Sequence, residues 1–217
     1  MRSDIVLTYV GYYIVLLFSI CVHETLHAYA ADKCGDQTAR FLGRITLNPL
    51  AHIDPIGTVL FPLMAILWGG FFGGRAFIIG WAKPVPINPR NFRNFKRDDI
   101  IVSLAGVAGN FSLAIVAALL FRVVMLLPTT QVTVSVGLIL KALMSVNVLL
   151  GVFNLIPLPP LDGSHVLLHF LSFEAATRYR QLSRYSFLIL IILLWTGILR
   201  YLFILPMAAI RVLAGPG

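Results

Sequence analysis

"IVLTYVGYYIVLLFSICVHETLHAYAA", residues 5–31, is an apolar run interrupted near its end by His23, Glu24 and His27. A hydrocarbon core about 30 Å thick takes roughly 20 apolar residues of helix, so this stretch is long enough to cross a membrane. Each ionisable residue inside such a span costs about 2.5 kcal/mol or more, so three together point to a function. In a helix, residues four apart share a face, so His23 and His27 aim imidazole nitrogens at one point with Glu24 beside them. His-Glu-x-x-His on a helix is a zinc hydrolase pattern: two ligands and a general base.

The remainder of the chain agrees with a membrane setting. Of its 217 residues, 59% are hydrophobic and 12% charged, and the mean hydropathy is +0.89, outside the range of a soluble globular domain. Besides Ile5–Ala31, three runs are long enough to span, Ile100–Leu127, Val132–Ile156 and Tyr185–Ile210. A shorter run, Ile56–Phe72, carries Pro62, Gly69 and Gly70 and reads as a re-entrant hairpin or a span. The first run follows Arg2 as a signal peptide would, but it lacks a small-x-small cleavage site and reads as a retained helix. Gly74–Asp99, the longest polar segment, is too short to fold alone, so residues 1–217 form one membrane-embedded domain. The expected fold is all-α, a polytopic bundle of about four to six membrane segments with short strand, loop and re-entrant elements.

The net charge of +8 comes without any nucleic-acid-reading module, and no nucleic-acid partner is expected. The positive-inside rule accounts for it. With the N-terminus outside and Ile56–Phe72 as a hairpin, Lys33, Arg40, Arg44, Arg75, Lys83, Arg90, Arg93, Lys96, Arg97, Arg178, Arg180 and Arg184 face the cytoplasm. The uncharged "LPTTQ" turn, 127–131, then faces out. Cys21 and Cys34 form no CxxC pair and read as two reduced thiols.

A catalytic zinc has three protein ligands and an open position, so a third comes from His52, His165, His169, Asp54 or Asp162. Asp162 stands out. It lies in "NLIPLPPLDGSH", 154–165, where three prolines and a glycine break an apolar run near its cytoplasmic end. Non-helical backbone at membrane depth is tolerated where it is buried in protein or lines a cavity. The competing reading of Asp162 is an exposed residue starting a short helix.

Together, "HETLH" in a first membrane helix, "AGVAGN" at 105–110 and "NLIPLPPLDG" at 154–163 resemble the site-2 protease family of intramembrane zinc metalloproteases. "NPLAHIDPIGT", 48–58, and "GWAKPVPINP", 80–89, resemble its small bacterial and archaeal branch without a PDZ domain. The resemblance covers about residues 8 to 170. It implies a three-helix core, one zinc ion on His23, His27 and Asp162, and Glu24 as catalytic base. Many relatives carry proline where this chain has Val107. Gly106, Gly109 and Asn110 read as packing residues.

The chemistry implied is peptide hydrolysis, in which zinc lowers the pKa of water toward about 7 and Glu24 carries a proton to the leaving amine. Asn154 is the first candidate to stabilise the oxyanion, in agreement with the family pattern, and His52 the second. The partners are the lipid bilayer and a transmembrane helix of a membrane-protein substrate, unwound locally because helical hydrogen bonds hide its carbonyls. "ARFLGRITLNP", 39–49, reads either as an edge strand for that peptide or as a connector. The expected location is the cell membrane of a prokaryote, with the site toward the cytoplasm, about one to two turns inside Ala31. Lys141 and Arg200 read as snorkelling side chains, and "HVLLHFLSF", 165–173, as an interfacial helix with His165 and His169 at the surface. A zinc transporter would need further ligands deep in other runs, and a silent chaperone or receptor would dispense with Glu24.

Overall fold

A computed structural model describes residues 3–60, 64 and 83–215. Three long helices form the bundle: α1 (Ser3–Cys34), α3 (Phe95–Val124) and α4 (Gln131–Asn154). All three are long and apolar enough to cross a membrane. A one-turn α2 (Thr38–Phe41) follows α1, and α5 (Asp162–Leu168), α6 (Phe173–Gln181), α7 (Ser186–Trp195) and α8 (Leu199–Ala214) follow α4.

Local chemistry sets the helix ends. The Asn94 side chain accepts from the Arg97 N–H to start α3, and Thr130 and Thr133 form a reciprocal capping box that starts α4 after the Pro128 turn. Pro157, Pro159 and Pro160 offer no N–H to continue α4 beyond Leu155. Small residues let the helices close up: Ala114, Ala117 and Ala118 of α3 pack with Val148 and Val152 of α4 and with Ile210 and Ala214 of α8. In lipid, where apolar burial gives little net drive, such close packing carries helix association. Leu126, Val132, Leu138 and Phe187 stay exposed, as lipid-facing side chains do.

Cys34 and the start of α3 lie at the same end of the bundle, because the Arg93 N–H donates to the Cys34 carbonyl at 3.1 Å. The chain between them therefore returns to the side it left. The Lys83 N–H donates to the His52 carbonyl at 3.0 Å, closing the base of this excursion. From there residues 55–60, a short π-helix, run along α1 so that the Tyr13 hydroxyl donates to the Thr58 carbonyl. Tyr13 is twelve residues from Thr25, about 18 Å along α1, so the excursion reaches membrane depth. The Ile56–Phe72 hairpin expected from sequence otherwise lies outside the described residues. Asp36 anchors the returning segment, accepting from the Asn88 N–H at 2.7 Å and the Asn91 amide at 2.8 Å.

Two expectations change, and one open alternative is resolved. Tyr185–Ile210 is not one straight span. Gly197 takes a left-handed φ of 70°, and the helices on either side meet at 69°. Residues 39–49 hold no strand: Asp36 receives the Thr38 N–H, residues 38–41 coil into α2, and Gly43 turns the chain at φ 65°. No strand occurs among the described residues. The helix expected over 165–173 is split, α5 ending at Leu168 and α6 starting at Phe173 behind a Ser172 cap. Cys21 and Cys34 are buried and unpaired.

Candidate metal centre

α1 places His23 and His27 one turn apart on its buried face, both under 8% exposed. α5 brings Asp162 to them: its Oδ2 lies 3.2 Å from His23 Nε2 and 3.4 Å from His27 Nε2, and the two Nε2 atoms are 2.9 Å apart. Gly163 makes the approach possible. A Cβ there would sit 2.3 Å from the Leu155 carbonyl oxygen, so only glycine lets α5 tuck under the end of α4.

The outer hydrogen bonds decide what the three atoms are. His27 Nδ1 lies 2.7 Å from the Val102 carbonyl, which can only accept, so Nδ1 carries the proton and Nε2 a lone pair. His23 Nδ1 lies 2.6 Å from Asn110 Oδ1. The Asn110 amide donates to Asn147 Oδ1 at 2.9 Å, and Asn147 donates to Ser19 Oγ at 2.8 Å, which assigns Oδ1 as the acceptor for His23. His23 Nε2 is therefore also a lone pair. Asp162 Oδ2 is buried without a hydrogen-bond partner. With both imidazoles neutral, three electron-pair donors converge on one point, the donor set that a divalent cation takes up. It is the one such group of three among the described residues, and it fits a divalent metal with two imidazoles and one carboxylate.

α3 forms the wall behind the pair. A Cβ on Gly106 would lie 2.5 Å from His27 Nε2 and 2.6 Å from His23 Cε1, while one on Gly109 would strike Leu26. Gly106 and Gly109 are thus packing residues in the strict sense. Asn110 is more than that, since it orients a histidine, and the fully buried Ser19 and Asn147 behind it were not singled out by the sequence. Polar residues inside the apolar runs were the available sign.

Glu24 stands beside the pair, its Oε2 accepting the Val85 N–H at 2.9 Å. Residues 83–88, which form neither helix nor strand, thereby pass α1 beside Glu24, with Val85 buried against Ala28 and Ala39.

The other candidate residues make contacts of their own. The Asp54 carboxylate caps the turn that follows it, receiving the Ile56 and Gly57 N–H groups. His52 is buried with Nε2 2.9 Å from the Thr46 carbonyl, which also receives the Thr25 hydroxyl. Asn154 donates to the Leu150 carbonyl at 3.0 Å in the last turn of α4. His165 is a surface residue, but His169 is not: its ring is 10% exposed and lies 2.6 Å from Asp99 Oδ2, tying α5 to α3. The Asp99 carboxylate also pushes the His165 imidazole up.

A bundle of membrane helices holding a His, His, Asp group beside a glutamate has the parts of a membrane-embedded metallohydrolase. The family model described as peptidase family M50 matches residues 122–196, which include Asp162. "Putative zinc metalloprotease YwhC" of Bacillus subtilis is 35% identical over 191 residues, 87% of this chain and 81% of that protein. "Putative zinc metalloprotease Rip2" of Mycolicibacterium smegmatis is 34% identical over 197 residues, 88% of this chain and 70% of that protein. No solved structure gives a significant match. The chain belongs to peptidase family M50, the site-2 protease family of intramembrane zinc metalloproteases.

Proposed function

We propose that this chain hydrolyses peptide bonds within membrane helices through one zinc ion held by His23, His27 and Asp162, with Glu24 as general base. The observation that carries the assignment is the convergence of His23 Nε2, His27 Nε2 and Asp162 Oδ2 within 4.8 Å of one another, each imidazole turned outward by a bond at its other nitrogen. A zinc ion bound there supplies a Lewis acid and lowers the pKa of water.

The protein's own groups do the rest. Glu24 takes a proton from water and delivers it to the departing amine. The Val85 N–H holds one Glu24 oxygen, and the other is the one proposed to carry the proton. Asn154 is the proposed donor to the oxyanion, since its amide has a second hydrogen beyond the one given to Leu150. His52 is the second candidate; because its Nε2 donates to the Thr46 carbonyl, it can serve the oxyanion only with both ring nitrogens protonated. The substrate is a transmembrane helix opened near the site, and Gly, Pro or Asn at the cut lowers the cost of opening. The site faces the cytoplasm of a prokaryotic cell if the basic loops do.

The test is purified protein assayed for zinc and for cleavage of a membrane-helix peptide. About one zinc per chain together with chelator-sensitive cleavage is the expected result. Zinc without cleavage of any membrane peptide favours transport or a binding role and overturns the proposal.

A further inference from the structure

At the end of the bundle away from the metal group, α3, α4 and α8 enclose a cavity of about 520 Å³. Its floor is apolar, with Phe121, Met144, Met207 and Ile210, and Lys141 and Arg211 stand over it. Gly106 and Phe121 are fifteen residues apart, so this cavity lies about 22 Å along α3 from the histidines. It is three residues from the outer end of that helix, at interface depth.

Among the described residues the two cations have no acidic partner. The described ion pairs use Asp32, Asp98, Asp99 and Asp162, and no carboxylate lines the cavity. Arg211 lies in the last turn of α8, where a helix dipole favours a cation. Lys141 has no such reason, being ten residues inside α4, where its ammonium lies 4.9 Å from the Phe121 ring centre. Beyond Arg211 a second groove, sharing Met207 and Arg211 with the first, runs along α8 past Phe203 and Ile204 to Arg200. A charged mouth at interface depth that opens on an apolar groove matches one amphiphile: a phosphodiester headgroup with its acyl chain.

We propose that this cavity binds an anionic phospholipid, its phosphate between Lys141 and Arg211 and an acyl chain along α8. The lipid neutralises both cations and seals α8 against α3 and α4, separately from the metal group.

The test is native mass spectrometry of the full chain with dioleoylphosphatidylglycerol or dioleoylphosphatidylcholine, and with inorganic phosphate as competitor. The wild type should retain one phosphatidylglycerol with a preference of roughly tenfold or more over phosphatidylcholine. Lys141→Gln with Arg211→Gln should reduce that preference to about twofold or less. Arg178→Gln with Arg180→Gln, which removes equal charge from exposed α6, should leave it intact. If the first double variant fails to fold, Lys141→Gln alone is read the same way. Equal retention of the two lipids by wild type overturns the proposal, as does a preference that survives loss of both cations. Displacement of the lipid by an equal concentration of phosphate also overturns it, since the site would then recognise a free anion.

Discussion

His23 Nδ1 and Asn110 Oδ1 lie 2.6 Å apart, joining the first histidine of α1 to α3 at a point with no solvent access. The bond holds the imidazole in the tautomer that turns its lone pair toward His27 and Asp162. Asn110→Leu keeps the volume and removes the acceptor. Zinc affinity should fall about 10- to 100-fold, measured by competition with a chelating dye. Asn147→Leu, one bond further out, should cost less, and equal affinity in wild type and Asn110→Leu would show that the network does not orient His23.

Gly106 and Gly109 predict a contrast. Gly106→Ala brings a methyl group 2.5 Å from His27 Nε2, whereas Gly109→Ala meets the end of the flexible Leu26 side chain. Gly106→Ala should lose zinc and cleavage together, and Gly109→Ala should keep zinc with a lower melting temperature. Metal analysis and a thermal melt on the two purified variants check this; full zinc in Gly106→Ala would contradict the packing described.

The Val85 N–H gives a test of the segment 83–88. Val85→Pro deletes this donor in backbone already flanked by Pro84 and Pro86. A hydrogen bond to a charged group contributes about 1.5–3 kcal/mol, so kcat should fall roughly tenfold or more while zinc content holds. Unchanged kcat would mean that Glu24 is positioned by other contacts.

How much of this was legible in the sequence varies with the kind of physics involved. His23, Glu24 and His27 were readable because helical spacing alone puts them on one side, and Asp162 because prolines break the helix before it. Asn147 and Ser19 were not, since their meaning depends on which faces of α1, α3 and α4 meet. The Val85 donor is a backbone group, identical in every residue except proline, and leaves no mark in the sequence. Residues 39–49, whose partial alternation left an edge strand or a connector open, form a connector, because the Asp36 carboxylate and Gly43 act locally. Gly197 was visible inside the last apolar run. High hydropathy on both sides concealed that it turns the chain rather than merely interrupting it.

The return of the chain between α1 and α3 predicts sidedness. Single cysteines at the exposed positions Gln37 and Arg93, in a background without Cys21 and Cys34, should be labelled by an impermeant reagent from the same side, and Thr129 from the opposite side. Labelling of positions 37 and 93 from opposite sides would contradict the hydrogen bond between Arg93 and Cys34.

The central claim is a division of labour, in which two histidines and Asp162 hold the metal while Glu24 moves the proton. Glu24→Gln keeps the size of the side chain and removes its basicity, so the purified variant, measured for zinc and for cleavage of a membrane-helix peptide in one preparation, tests it most directly. The account predicts about one zinc per chain and cleavage lowered by roughly 10²- to 10⁴-fold. Wild-type cleavage in zinc-loaded Glu24→Gln, or loss of zinc along with activity, would contradict it.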